Sequence, residues 1–166
     1  MRKDKLYLIG FMACGKTTVA RRLGYRLGWR AEDVDERIEA AERMTVAEIF
    51  AARGESYFRA LEREVLRGLL PPRNLVVATG GGTFVDPESR AAINQDGTSI
   101  WLDVPFAELL ERLPADGRRP LASSRDEMET LYNARRAAYQ QAHLRLDASR
   151  TAVEELVERV LDWLGY

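Results

Sequence analysis

The stretch GFMACGKTT, residues 10–18, limits what this chain can fold into more than any other part of it. Gly10, Gly15, Lys16 and Thr17 satisfy G-x-x-x-x-G-K-[ST], the pattern of a phosphate-cradling loop. Such a loop needs a strand before it and a helix after it, because the helix start supplies unpaired N–H groups and partial positive charge. Both are legible. KLYLIG (5–10) is a short apolar run ending in glycine and reads as a buried strand. In KTTVARRLGYRLG, Val19, Ala20, Leu23 and Leu27 fall at helical spacing, and Gly28 is a stop signal. Lys16 can reach outer phosphates and the Thr17 hydroxyl can ligate Mg²⁺. Ala13 and Cys14 form the loop wall, and Thr18 extends the helix start.

Beyond the loop the chain keeps alternating. AEDVDERIEAAERM (31–44) opens with acids, which suit a helix N-terminus, and becomes helical. The segment 45–70 opens on a capping box, Thr45 with Glu48, and Gly54 divides it. NLVVATGGGT (74–83) is a second apolar strand running into three glycines, and TSIWLDV (98–104) is a third. Helices are expected at 86–95 and 105–113, with Pro87 and Pro105 in their first turns, and at 127–142. Residues 114–126 lack periodicity and read as a loop, of the length at which loops are usually functional or disordered. HLRLDA (143–148) reads as a short strand. In the terminal helix, 151–166, Val153, Leu156, Val157, Val160, Leu161 and Leu164 share one side. Strands alternating with helices imply a single α/β domain whose parallel sheet is covered on both faces.

Composition narrows the chemistry. The 166 residues carry 25 Lys and Arg against 26 Asp and Glu, so no global basic excess points to nucleic acid or an anionic membrane. One cysteine and one histidine, His143, cannot form the usual zinc ligand set, and His143 reads as structural. The apolar run Leu6–Ile9 is too short for a signal-peptide core, and nothing approaches the ~20 apolar residues of a membrane span. A cytoplasmic location is expected.

An acceptor site is legible too. In DVD, Asp33 and Asp35 stand just past a further expected strand that ends before them, where a parallel sheet forms its ligand crevice. One acid can help hold Mg²⁺ and the other can accept a hydroxyl proton; helix capping is the alternative reading. Arg59 and Glu62 lie three apart on one helical face. Gly80, Gly81 and Gly82 end another strand, where bare N–H groups can receive an anion.

Taken in order and spacing, GFMACGKTT, DVD, FAARGESYFRALE, ATGGG and RRPLA resemble shikimate kinase along nearly the whole chain. The resemblance implies a nucleoside-monophosphate-kinase-like three-layer sandwich with a five-stranded parallel sheet. It implies transfer of the ATP γ-phosphate to the 3-hydroxyl of shikimate by a cytoplasmic monomer that uses Mg²⁺. Asp35 is similar to the family's hydroxyl-binding base, Asp33 to the acid near Mg²⁺, and Arg59 to the arginine that holds the substrate carboxylate. Glu62 resembles the acid that steadies Arg59, and Phe50 and Phe58 the aromatics near the pocket. Gly80, Gly81 and Gly82 resemble the substrate-binding glycine run, Arg112 the arginine beside adenine, and Arg119 the arginine of a lid spanning about 113–126. Arg135, four before Tyr139, resembles a second carboxylate clamp, with Arg136 the alternative. The loop departs from the family in Ala13, where glycine is common, and in Cys14, where alanine or serine is common. A related kinase, such as one acting on gluconate, or a non-catalytic nucleotide-binding module are the competing readings.

Overall fold

The computed structural model describes residues 2–113 and 124–166. Arg119 and most of the expected lid therefore lie outside the described residues. Five strands, β1 (Lys5–Ile9), β2 (Arg30–Asp33), β3 (Leu75–Ala78), β4 (Thr98–Asp103) and β5 (Leu144–Asp147), form one sheet in the order β2-β3-β1-β4-β5. All four pairings are parallel, with Leu8 level with Ala78 on one side and with Ile100 on the other. Every residue of β1, β3 and β4 is buried. Successive side chains of a strand point to opposite faces, so both faces of the sheet are covered.

The covering helices are α1 (Lys16–Leu27), α2 (Val34–Glu42), α3 (Val46–Arg53), α4 (Glu55–Leu69), α5 (Pro87–Asp96), α6 (Phe106–Arg112), α7 (Arg125–Tyr139) and α8 (Val153–Leu164). Local chemistry sets their ends. Thr45 Oγ1 accepts a hydrogen bond from the Glu48 amide, as the capping box predicts, and Gly54 separates α3 from α4. Helix α7 starts two residues earlier than expected because the Ser124 hydroxyl caps it through the Glu127 amide. Pro105 precedes α6 rather than opening it: its ψ of 144° is extended, and its carbonyl accepts from the amides of Glu108 and Leu109. Helices α1 and α8 pack together and are joined by the ion pairs Arg22–Glu154 and Arg26–Glu158. Among the described residues no helix is long and apolar enough to cross a membrane.

The two ends of the sheet differ in kind. At the end where β1 begins, fully buried Lys5 donates to the carbonyls of Leu69 and Leu70, both at 2.6 Å, and pairs with Asp96 at 2.8 Å. Asp96 also accepts from Tyr7 and Arg73, and Arg73 forks onto Asp4. Burial pushes the Lys5 ammonium below its ordinary pKa, while the bonds to Asp96 oppose that shift. His143 belongs to this structural framework: its Nδ1 accepts from the Ser99 amide at 3.0 Å near the start of β4. The opposite end, where β1 runs out between strands that lead to opposite sides of the sheet, holds the chemistry.

Candidate active site

The phosphate loop leaves β1 at Gly10. A Cβ added there would lie 2.7 Å from Cys14 Sγ and 3.0 Å from the Leu102 carbonyl, so only glycine fits. Gly15 precedes α1 and offers it no side-chain cap, which leaves the first N–H groups of the helix for an anion. Lys16 folds over the loop, its Nζ donating to the carbonyls of Gly10 at 2.8 Å and Phe11 at 2.9 Å. Cys14 is buried beneath, its sulfur 3.8 Å from that ammonium, whereas Ala13 and Thr18 are exposed. Ala13 has φ of 63°, in the left-handed region. That conformation costs a residue with a Cβ roughly 1–2 kcal/mol. Ala13→Gly is accordingly expected to raise stability by roughly 0.5–1 kcal/mol, or about 2 °C in Tm by thermal melting. A lower Tm would contradict the strain.

Two acids approach the loop from β2 and α2. Asp33 caps α2 by accepting from the Glu36 amide at 2.9 Å, and its other oxygen accepts from the Thr17 hydroxyl. The capping and the Thr17-directed readings of Asp33 therefore hold at once, each using one oxygen. Asp35 sits in the first turn of α2 and faces a cleft of about 470 Å³. Its Oδ1 is buried with no hydrogen-bond partner among the described residues. Burial, then the like charges of Glu62 and Asp33, push its carboxyl up to about 7, against the opposing pull of Lys16.

The rest of the cleft has an apolar wall of Met12, Val46, Phe50 and Phe58 and a cationic rim of Arg59 and Arg135. Arg59 Nη1 donates to Glu62 Oε1 at 2.8 Å, and its guanidinium lies 5.4 Å from the Phe58 ring centroid. Arg135 is 6% exposed and lies 5.7 Å from the Phe11 centroid. Its neighbour Arg136 turns away, donating to Asp103 at 2.7 Å and resting on Trp101 at 4.9 Å. Of the two candidates, Arg135 is the one that lines the cleft.

The glycine run packs against all of these charges. A Cβ on Gly80 would lie 2.6 Å from Glu62 Oε2 and 2.8 Å from Asp35 Oδ1. One on Gly81 would lie 2.9 Å from Arg135 Nη1, and one on Gly82 2.4 Å from Arg59 Nη1. Tyr139 donates to the Gly81 carbonyl at 2.5 Å and ties the run to α7.

On the other side of the phosphate loop, Arg112 Nη1 donates to the Ala13 carbonyl at 3.3 Å and its Nη2 to Glu108 at 3.0 Å. Glu108 also accepts from the Arg150 amide at 2.6 Å, joining α6 to the turn after β5. Glu108 was not singled out by the sequence, and neither was Glu39, which lines the cleft and accepts from the Val46 amide at 2.9 Å. Glu39 stands four after Asp35, a spacing that places both on one helical face and was available as a signal. Thr83, beside the glycine run, carried no such signal.

Comparison with known proteins bears on this geometry. The family model described as shikimate kinase matches residues 12–165. A shikimate kinase of Persephonella marina is 40% identical over 157 residues, covering 94% of this chain and 96% of that protein. The structure of shikimate kinase from Acinetobacter baumannii in complex with shikimate superposes with a TM-score of 0.93 at 32% identity, covering 98% of this chain and 93% of that one. The Aquifex aeolicus shikimate kinase gives 0.87 at 37% identity, covering 96% and 95%. In sequence and in fold alike, along nearly its whole length, the chain belongs to the shikimate kinase family, enzymes that phosphorylate shikimate at the expense of ATP.

Proposed function

We propose that the ATP γ-phosphoryl group passes to the 3-hydroxyl of shikimate between the phosphate loop and the cleft of Asp35, Arg59 and Arg135. The observation that carries this reading is Asp35 Oδ1, a buried acceptor with no donor among the described residues, inside a cleft that also presents two guanidinium groups. A buried acceptor without a donor is costly unless a ligand supplies one. A polyhydroxy acid answers the whole site: its carboxylate takes planar donors from Arg59 and Arg135, and one of its hydroxyls donates to Asp35. Asp35 then aligns that hydroxyl and receives its proton.

On the donor side, Gly10, Ala13, Cys14, Gly15, Lys16, Thr17 and Thr18 would hold the phosphates, with Arg112 beside the base. Arg119, outside the described residues, is assigned to the phosphates by the family resemblance alone. Lys16 already stands over the loop carbonyls, so little reorganisation separates it from a phosphate. The Thr17 hydroxyl and the Asp33 carboxylate meet at one point, and both are hard oxygen donors, so they fit Mg²⁺, which takes one or two protein oxygens beside phosphates and water. The ion supplies neutralisation of charge on the transferring phosphates. A carboxylate clamp and a buried base are unnecessary for a nucleotide-binding module. Work as a monomer in the cytoplasm, with a lid at 113–126, is part of the same reading.

Arg59→Ala tests it. Loss of a charged, planar donor pair is expected to raise the KM for shikimate by about 10–100-fold and to leave the KM for ATP within about twofold. The measurement is initial-rate ADP release with each substrate varied in turn. An unchanged KM for shikimate would remove Arg59 from the carboxylate site.

A further inference from the structure

Two carboxylates meet across Gly80. The space its missing side chain leaves is bounded by Glu62 Oε2 on one side and Asp35 Oδ1 on the other. They are not equivalent. Glu62 is 4% exposed and receives two donors: Arg59 Nη1 on Oε1, and the Thr83 hydroxyl on Oε2 at 3.0 Å. Among the described residues Asp35 Oδ1 receives none. The Thr83 hydroxyl has a single proton, and the Gly80 amide donates to its oxygen at 3.1 Å. That amide can only donate, so the hydroxyl proton is directed at Glu62. Thr83 is 2% exposed.

We infer that Thr83 is a positioning residue for the acceptor site: its hydroxyl, oriented by the Gly80 amide, fixes one oxygen of the Glu62 carboxylate so that the other meets Arg59 and holds that guanidinium toward the cleft. The inference rests on the role proposed above for Arg59. Without the hydroxyl, Glu62 keeps a single anchor, and the planar donor that meets the substrate carboxylate loses its fixed direction. Arg59 and Arg135 line the same cleft.

Thr83→Val keeps the shape and removes the hydroxyl; Thr83→Ser keeps the hydroxyl. In the Val variant the KM for shikimate is expected to rise about tenfold, the worth of one hydrogen bond to a charged group, with the KM for ATP within about twofold. Thr83→Ser is expected to stay within about threefold of the parent on every parameter. If the valine protein does not fold, Thr83→Ala with the same readouts decides the matter. A parental KM for shikimate in Val or Ala overturns the inference, and so does a serine variant as impaired as valine, which would assign the effect to the methyl group. A parental shikimate KM in Arg59→Ala would instead sink the underlying reading, so the two failures are distinguishable.

Discussion

Lys16→Ala is expected to lower kcat by on the order of a thousandfold or more in an ADP-release assay at saturating substrates, while the protein remains folded. Phosphoryl transfer asks a protein for position and charge rather than covalent chemistry, so removing the loop cation takes away a principal resource. In the structure the Lys16 ammonium is held by two carbonyls of its own loop. Alanine leaves those two acceptors without their charged donor, which costs about 1–3 kcal/mol of stability, too little to unfold a domain of this size. Circular dichroism would show the fold retained. A rate near the parental value would overturn the phosphate-loop assignment.

Asp35→Asn is the second large effect. Loss of a positioned base is expected to cut kcat by about 10²–10⁴-fold, with the KM for shikimate changed little because the arginines remain. The parent should show kcat/KM for shikimate rising with pH through about 7, as the raised Asp35 carboxyl ionises, and the variant should lack that limb. Full activity in the variant would exclude Asp35 as base. Stability should move the other way. The folded pKa lies above the unfolded 3.8, so between those values the folded state binds the extra proton. That contribution is fully present below the unfolded pKa and is lost as pH rises through about 7. Asparagine carries no charge to bury, so at pH 8 the variant should be more stable than the parent by on the order of 4 kcal/mol, or about 10 °C, with the gap narrowing as pH falls through about 7 and closing only below about 3.8. A base that destabilises its own fold is the usual exchange of stability for activity.

The phosphate loop was legible in the sequence because its signals are local: an apolar strand, a glycine turn and a helical period follow one another. β1, β3 and β4 were legible because strands buried on both faces are continuously apolar. β2, with the sequence RAED, was weakly marked. It is an edge strand whose backbone pairing with β3, Arg30 level with Leu75, makes it a strand despite its charges. In the site, Asp35, Arg59 and the glycine run stood out as residue types at telling positions. The choice between Arg135 and Arg136 did not. Adjacent helical residues point about 100° apart, so the rotation of α7 decides which one faces the cleft. That rotation is held by Asp103 and Trp101, residues of β4 more than thirty positions away along the chain. Thr83 stayed hidden for a similar reason: its partners, Glu62 and the Gly80 amide, come together only after folding.

The buried Lys5–Asp96 framework has a practical corollary. It braces the foot of β1, while Asp35 and the phosphate loop occupy the head, five residues or about 16 Å along the same strand. Rigidity is thus concentrated where no substrate goes, and the unpaired groups that chemistry needs are gathered at the far pole. An engineer seeking a hardier enzyme can work at the foot with little risk to turnover, whereas one seeking a new acceptor must work at the head and accept the loss of cohesion there.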